Sequence, residues 1–129
     1  MNSRVNALRD KTLILGVSGG IAAYKAPELV RRLRDEGANV RVVLTRAGAR
    51  FVSPLALEVV SGHPVGLDLW STDGDSQIVH TDLGKEADLI LLAPATANLI
   101  ARIRNGFADD LLATTVMACQ TPVLVCPSM

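Results

Sequence analysis

Three short stretches of this 129-residue chain carry residue types suited to holding an anion or a flat ring. The first is Gly16-Val17-Ser18-Gly19-Gly20, between an apolar run and a helical pattern. Glycines let backbone approach an anion, a helix start offers free N–H groups, and Ser18 adds a hydroxyl. The loop has neither the G-x-G-x-x-G spacing nor the Lys of a Walker loop, so it suits a mononucleotide phosphate better. Its plainer reading, a tight strand-to-helix turn that holds no ligand, is the less favoured of the two. The second stretch is Thr45-Arg46-Ala47-Gly48, and the third is Ala93-Pro94-Ala95-Thr96-Ala97-Asn98. Small side chains in the third let a ring lie close to the backbone, and Asn98 both donates and accepts. Its plainer reading is a helix start capped by Thr96. His80 precedes Thr81-Asp82-Leu83, where an imidazole titrating near neutrality would serve as a base. A lone His is more often a surface residue, and His63, between Gly62 and Pro64, reads as one. The two histidines and the two cysteines show no metal-ligand spacing, so no metal site is expected. Cys119 and Cys126 sit among apolar neighbours and read as buried small residues.

The elements that must position these loops follow from hydrophobic patterning. Apolar runs at 12–17, 40–44, 65–69, 88–93 and 123–126 predict five strands, the run at 88–93 ending at Pro94. Helical spacing predicts helices over 22–35, 54–60, 96–104 and from Asp109 or Asp110 to Met117, with one helical turn at 49–51. Pro27 is awkward inside the first, marking a kink or a late start. Ser53-Pro54 is a capped start, and Gly62 a stop. The polar run 71–76 reads as an exposed loop. Strands alternating with helices predict an α/β, doubly wound parallel sheet in one domain over residues 1–129. In such sheets ligands bind beyond the carboxyl ends of the strands, where the three loops fall.

Composition narrows the function classes. Thirteen basic residues balance thirteen acidic ones, which argues against a general electrostatic grip on nucleic acid. Tyr24, Phe51, Trp70 and Phe107 are the only aromatics, too few for a base-stacking surface. No apolar run reaches membrane-span length, and the polar N-terminal stretch lacks a signal-peptide core. A soluble, reduced, cytoplasmic protein is expected.

Six segments in register, 16–25, 44–48, 80–83, 93–98, 105–112 and 126–129, together resemble the flavin-containing cysteine decarboxylases, over nearly the whole chain from Lys11. The segments at 22–25 and 80–83 favour the branch serving coenzyme A synthesis. The resemblance implies a three-layer, Rossmann-like flavoprotein that binds FMN. Gly16, Ser18, Gly19 and Gly20 would hold its phosphate end, and Thr45 and Phe51 would lie along the ribityl chain and ring. Pro94, Ala95, Thr96, Ala97 and Asn98 match the family's Pro-Ala-Ser-Ala-Asn-Thr motif, which contacts the flavin and a neighbouring subunit. Leu99 replaces the final Thr and is left out of the site. His80 matches the essential His, which would assist proton transfer.

The implied reaction converts phosphopantothenoylcysteine to 4′-phosphopantetheine. Flavin oxidation of the thiol gives a thioaldehyde that acts as electron sink; loss of CO2 gives an ene-thiolate, and the reduced flavin returns the hydride. The implied assembly is a homotrimer or dodecamer with FMN at subunit interfaces. The family's Pro-x-Met-Asn motif starts at Pro127-Ser128-Met129, and its carboxylate-binding Asn and later reactive Cys would lie beyond. The chain therefore reads as a decarboxylase domain lacking its C-terminal part, expected to keep FMN binding and to lose most turnover. The alternatives are a flavin-binding or assembly module without catalysis, a peptidyl-cysteine decarboxylase, or a flavin prenyltransferase.

Overall fold

The computed structural model describes residues 7–67 and 86–128. Strand β1 (Thr12–Val17) leads through a 3-10 turn (Ile21–Lys25) into α1 (Ala26–Asp35). Next come β2 (Asn39–Leu44), a 3-10 turn (Gly48–Arg50) and α2 (Pro54–Ser61). After the undescribed stretch come β3 (Leu89–Ala95), α3 (Ala97–Arg104), α4 (Leu111–Ala118) and β4 (Val123–Pro127). The four strands form one parallel sheet in the order β2-β1-β3-β4.

Period-two alternation along β1 sorts the core into two layers. Leu13, Leu15 and Val17 join Val30 of α1, Val40, Val42 and Leu44 of β2, and Leu57 of α2 on one face. Ile14 joins Val43, Ile90 and Leu92 with Leu99 of α3 and Leu111 and Leu112 of α4 on the other. Each fully buried aliphatic contributes about 1.5–3 kcal/mol, so two covered faces hold the sheet between helical layers. Gly16 belongs to this packing: a Cβ there would stand 2.6 Å from Leu112 Cδ1 and 2.8 Å from Leu92 Cδ2. The chain leaves β1 for β2 on one side and returns to β3 on the other. The carboxyl ends of β1 and β3 therefore flank the point where winding reverses, the usual place for a crevice.

The structure departs from the sequence reading in several places. The first helix begins with a 3-10 turn, and α1 starts at Ala26, which puts Pro27 in the first turn where no N–H is needed. β3 continues through Pro94, joined to Ala93 by a cis peptide, and its ladder with β4 shifts register between Leu92 and Ala95. Of the strand expected at 65–69, the described part is a single parallel bridge between Val43 and Gly66. Cys119, which follows α4, is half-buried, and Cys126 is exposed with the rest of β4, which pairs with β3 alone among the described strands. No described helix is long and apolar enough to cross a membrane.

His63 is not a free surface residue. Its Nε2–H donates to Asn39 Oδ1 at 2.7 Å, tying the chain after α2 to the start of β2. Burial, then the charges of Arg41 and Arg34, push the imidazole below its ordinary pKa of 6.5. The neutral form is thus favoured in the folded state, and stability is fully present above pH 6.5. As pH falls below 6.5 the unfolded chain takes up the proton first, and stability declines until the folded pKa is passed. His63→Gln is expected to flatten that decline, measured as the difference between variant and wild-type urea unfolding from pH 7.5 to 5. Identical slopes would contradict it.

Candidate functional site

The crevice at the reversal point is an open cleft of about 720 Å³, within the usual range for a small-molecule site. Its walls come from the ends of three strands. Ser18 and Gly19 follow β1, Thr45, Arg46, Ala47 and Ala49 follow β2, and Thr96, Asn98 and Leu99 follow β3. Arg102, Asp109, Asp110 and Leu111 close the α3–α4 side, with Leu67 also contributing.

Ser18 sets the geometry. It is 2% exposed; its hydroxyl donates to the Pro94 carbonyl and accepts from the Thr96 N–H at 3.1 Å. The expected hydroxyl donor is therefore committed to joining the β1 and β3 loops. The Thr96 hydroxyl oxygen in turn accepts from Leu99 N–H at 3.2 Å and caps α3. On the other side, Gly19 lies so close to Ala47 that an added Cβ would be 2.4 Å from its Cβ and 2.8 Å from its carbonyl carbon. Only glycine permits this contact between the β1 and β2 loops. Thr45 Oγ1 accepts from Gly48 N–H at 2.9 Å, and its proton has no acceptor among the described residues. Neither the Gly19 N–H nor the Arg46 guanidinium has a partner among the described residues.

The opposite wall is acidic. Arg102 bonds Asp109 and reaches Asp110 at 3.4 Å. Asp110 Oδ1 also accepts from Ala113 N–H at 2.7 Å and caps α4. One guanidinium thus faces two carboxylates, while the β1–β2 side carries a cation and donors with no partner among the described residues.

Of the expected site residues, Ser18, Gly19, Thr45, Thr96 and Asn98 line the cleft. Gly16, Gly20, Phe51, Pro94, Ala95 and Ala97 do not line it; Gly16 is under Leu112, Pro94 and Ala95 are buried in β3, and Phe51 is exposed. Leu99, left out of the site on sequence, lines it. His80 lies outside the described residues. Sequence reasoning gave no site role to Arg102, Asp109 or Asp110, although the last two fall in the recognised segment 105–112, and it singled out the loop holding Arg46 without giving that side chain a role. Burial pushes the Cys119 thiol up, partly opposed by its bond to Thr121, so it is not a poised thiolate.

The sequence matches the Flavoprotein family over residues 1–129. The chain belongs to this flavoprotein family. It is 54% identical over 123 residues to the coenzyme A biosynthesis bifunctional protein CoaBC of Escherichia coli K12, covering 95% of this chain and 30% of that protein. It therefore spans about a third of the length of such relatives. Among solved structures, the FMN-dependent cysteine decarboxylase SpaF superposes with a TM-score of 0.79 at 33% identity, over 98% of this chain and 71% of that one. A PPC decarboxylase mutant complexed with pantothenoylaminoethenethiol gives 0.74 at 30% identity, over 94% and 68%. The cleft lies beyond the carboxyl ends of the strands, where doubly wound sheets in general place a ligand.

Ser18→Ala removes the acceptor of the Thr96 N–H and the side-chain link between two cleft loops, leaving the backbone bond from Ser18 N–H to the Pro94 carbonyl at 3.3 Å. A stability loss of about 1–3 kcal/mol is expected from urea unfolding, the cost of an abandoned buried partner. Unchanged stability would show that the bridge does not hold the loops.

Proposed function

We propose that this chain binds FMN in the cleft and forms the decarboxylase part of a cytoplasmic coenzyme A biosynthesis protein, acting on 4′-phosphopantothenoylcysteine to give 4′-phosphopantetheine. The observation that carries the cofactor reading is the donor set at the reversal point: the Gly19 N–H and the Thr45 hydroxyl proton, neither with a partner among the described residues, and small residues along Thr96–Asn98. These fit a phosphate-ended flat ring. The identity of 54% to CoaBC, against 33% to SpaF, supports the coenzyme A branch over other cysteine decarboxylases.

FMN bound here would supply the reversible two-electron oxidation that makes loss of CO2 beside a thiol-bearing carbon feasible. The residues of this chain do the positioning. Gly19 and Thr45 would donate to the phosphate end. Ser18 ties the β1 loop to the β3 loop, and Thr96, by capping α3, fixes the helix start from which Asn98 would meet the ring. His80 is proposed to move the proton of the substrate thiol. A homotrimer or dodecamer is proposed as the assembly, supported by the exposed Ile21, Tyr24 and Phe107, apolar side chains that a subunit contact would cover.

The test is a fluorescence titration with FMN, followed by CO2 release from phosphopantothenoylcysteine in the protein carrying this domain. One FMN per chain is expected. His80→Asn is expected to retain FMN and lose CO2 release by a factor of about 10² or more. Failure to bind FMN would contradict the cofactor reading, and full turnover by His80→Asn would contradict the role of His80.

A further inference from the structure

Two arginines line the cleft, and their surroundings differ. Arg102 is met by Asp109 and Asp110, so its wall is acidic on balance. Arg46 is exposed and has neither a hydrogen bond nor an ion pair among the described residues. It stands between Thr45 and Ala47, the latter in contact with Gly19; the Thr45 hydroxyl proton and the Gly19 N–H have no partner among the described residues. The cleft is therefore polarised, cationic at the β1–β2 loops and anionic at α3–α4.

We propose that Arg46 is the cation that receives the phosphate of the flavin and makes the cleft select FMN over riboflavin. The proposal rests on the flavin reading above and deepens it. A phosphate monoester carries about −1.5 to −2 charges at pH 7. Placed against Asp109 and Asp110 it meets like charge; placed at Arg46 it meets a planar, permanently charged fork able to donate two parallel hydrogen bonds. The charge pattern thus fixes which way round the cofactor lies, with its phosphate at the β1–β2 loops and its ring toward Thr96 and Asn98.

The experiment compares dissociation constants for FMN and riboflavin, by flavin fluorescence, in the wild-type protein and in Arg46→Gln, Arg46→Lys and Arg50→Gln. Arg50 is exposed in the same segment but does not line the cleft, so its variant makes the same change in net charge. Arg46→Gln is expected to weaken FMN about tenfold and leave riboflavin within about twofold. Arg46→Lys is expected to recover part of the loss, and Arg50→Gln to leave both ligands within about twofold. Equal weakening of FMN and riboflavin by Arg46→Gln, or as large a loss in Arg50→Gln, overturns the assignment. If the wild-type protein binds FMN and Arg46→Gln binds it equally well, Arg46 alone is wrong. If the wild-type protein binds neither flavin, the flavin reading fails and this proposal with it.

Discussion

The hydroxyl of Ser18, held between the Pro94 carbonyl and the Thr96 N–H, is the interaction on which the cleft depends. It spans the point where the sheet reverses its winding, and nothing else described joins the β1 loop to the β3 loop through a side chain. A sheet of this kind splays its loops apart at the reversal, which creates the crevice but leaves its width unset. Ser18 sets the width on one side. The Gly19–Ala47 contact sets it on the other, because no larger residue at 19 would let the β2 loop approach. Cleft geometry is therefore a consequence of two close contacts made by small residues, supported by a sheet buried on both faces.

On that frame the charges are distributed unevenly. Helices α3 and α4 are held together at the cleft rim by Arg102 and two carboxylates, one of which also caps α4. Capping and ion pairing thus absorb most of the polar capacity of that wall. In the loops after β1 and β2 the Gly19 N–H and the Arg46 guanidinium have no partner among the described residues. The difference gives the site a direction, and it favours placing the anionic end of a ligand at the β1–β2 loops.

Much of the fold was legible in the residues. The aliphatic runs of β1, β2 and β3 are buried on both faces, and the caps Ser53, Thr96 and Asp110 act on neighbours three residues away, so local sequence carries them. Pro94 was misleading because a proline normally ends a ladder, whereas here the register shift accommodates it. Gly16 read as a phosphate-loop glycine although its constraint is Leu112, far along the chain. Ser18 read as a free donor because its partners, in the β3 loop, are equally distant in sequence. The Arg102–Asp109–Asp110 cluster depends on how α3 turns back onto α4, which spacing alone does not specify. Cys126 lies among apolar residues in sequence and is nevertheless exposed, because its strand is paired on one side.

The most direct test of the account is to follow backbone amide resonances while FMN is added to the 15N-labelled protein. The account predicts that the amides of Gly19, Arg46 and Asn98 shift together and saturate at one equivalent, while Asn39 and His63, at the opposite end of β2, stay unchanged. Shifts centred on His63 and Asn39, or none at Gly19 and Arg46, would contradict it.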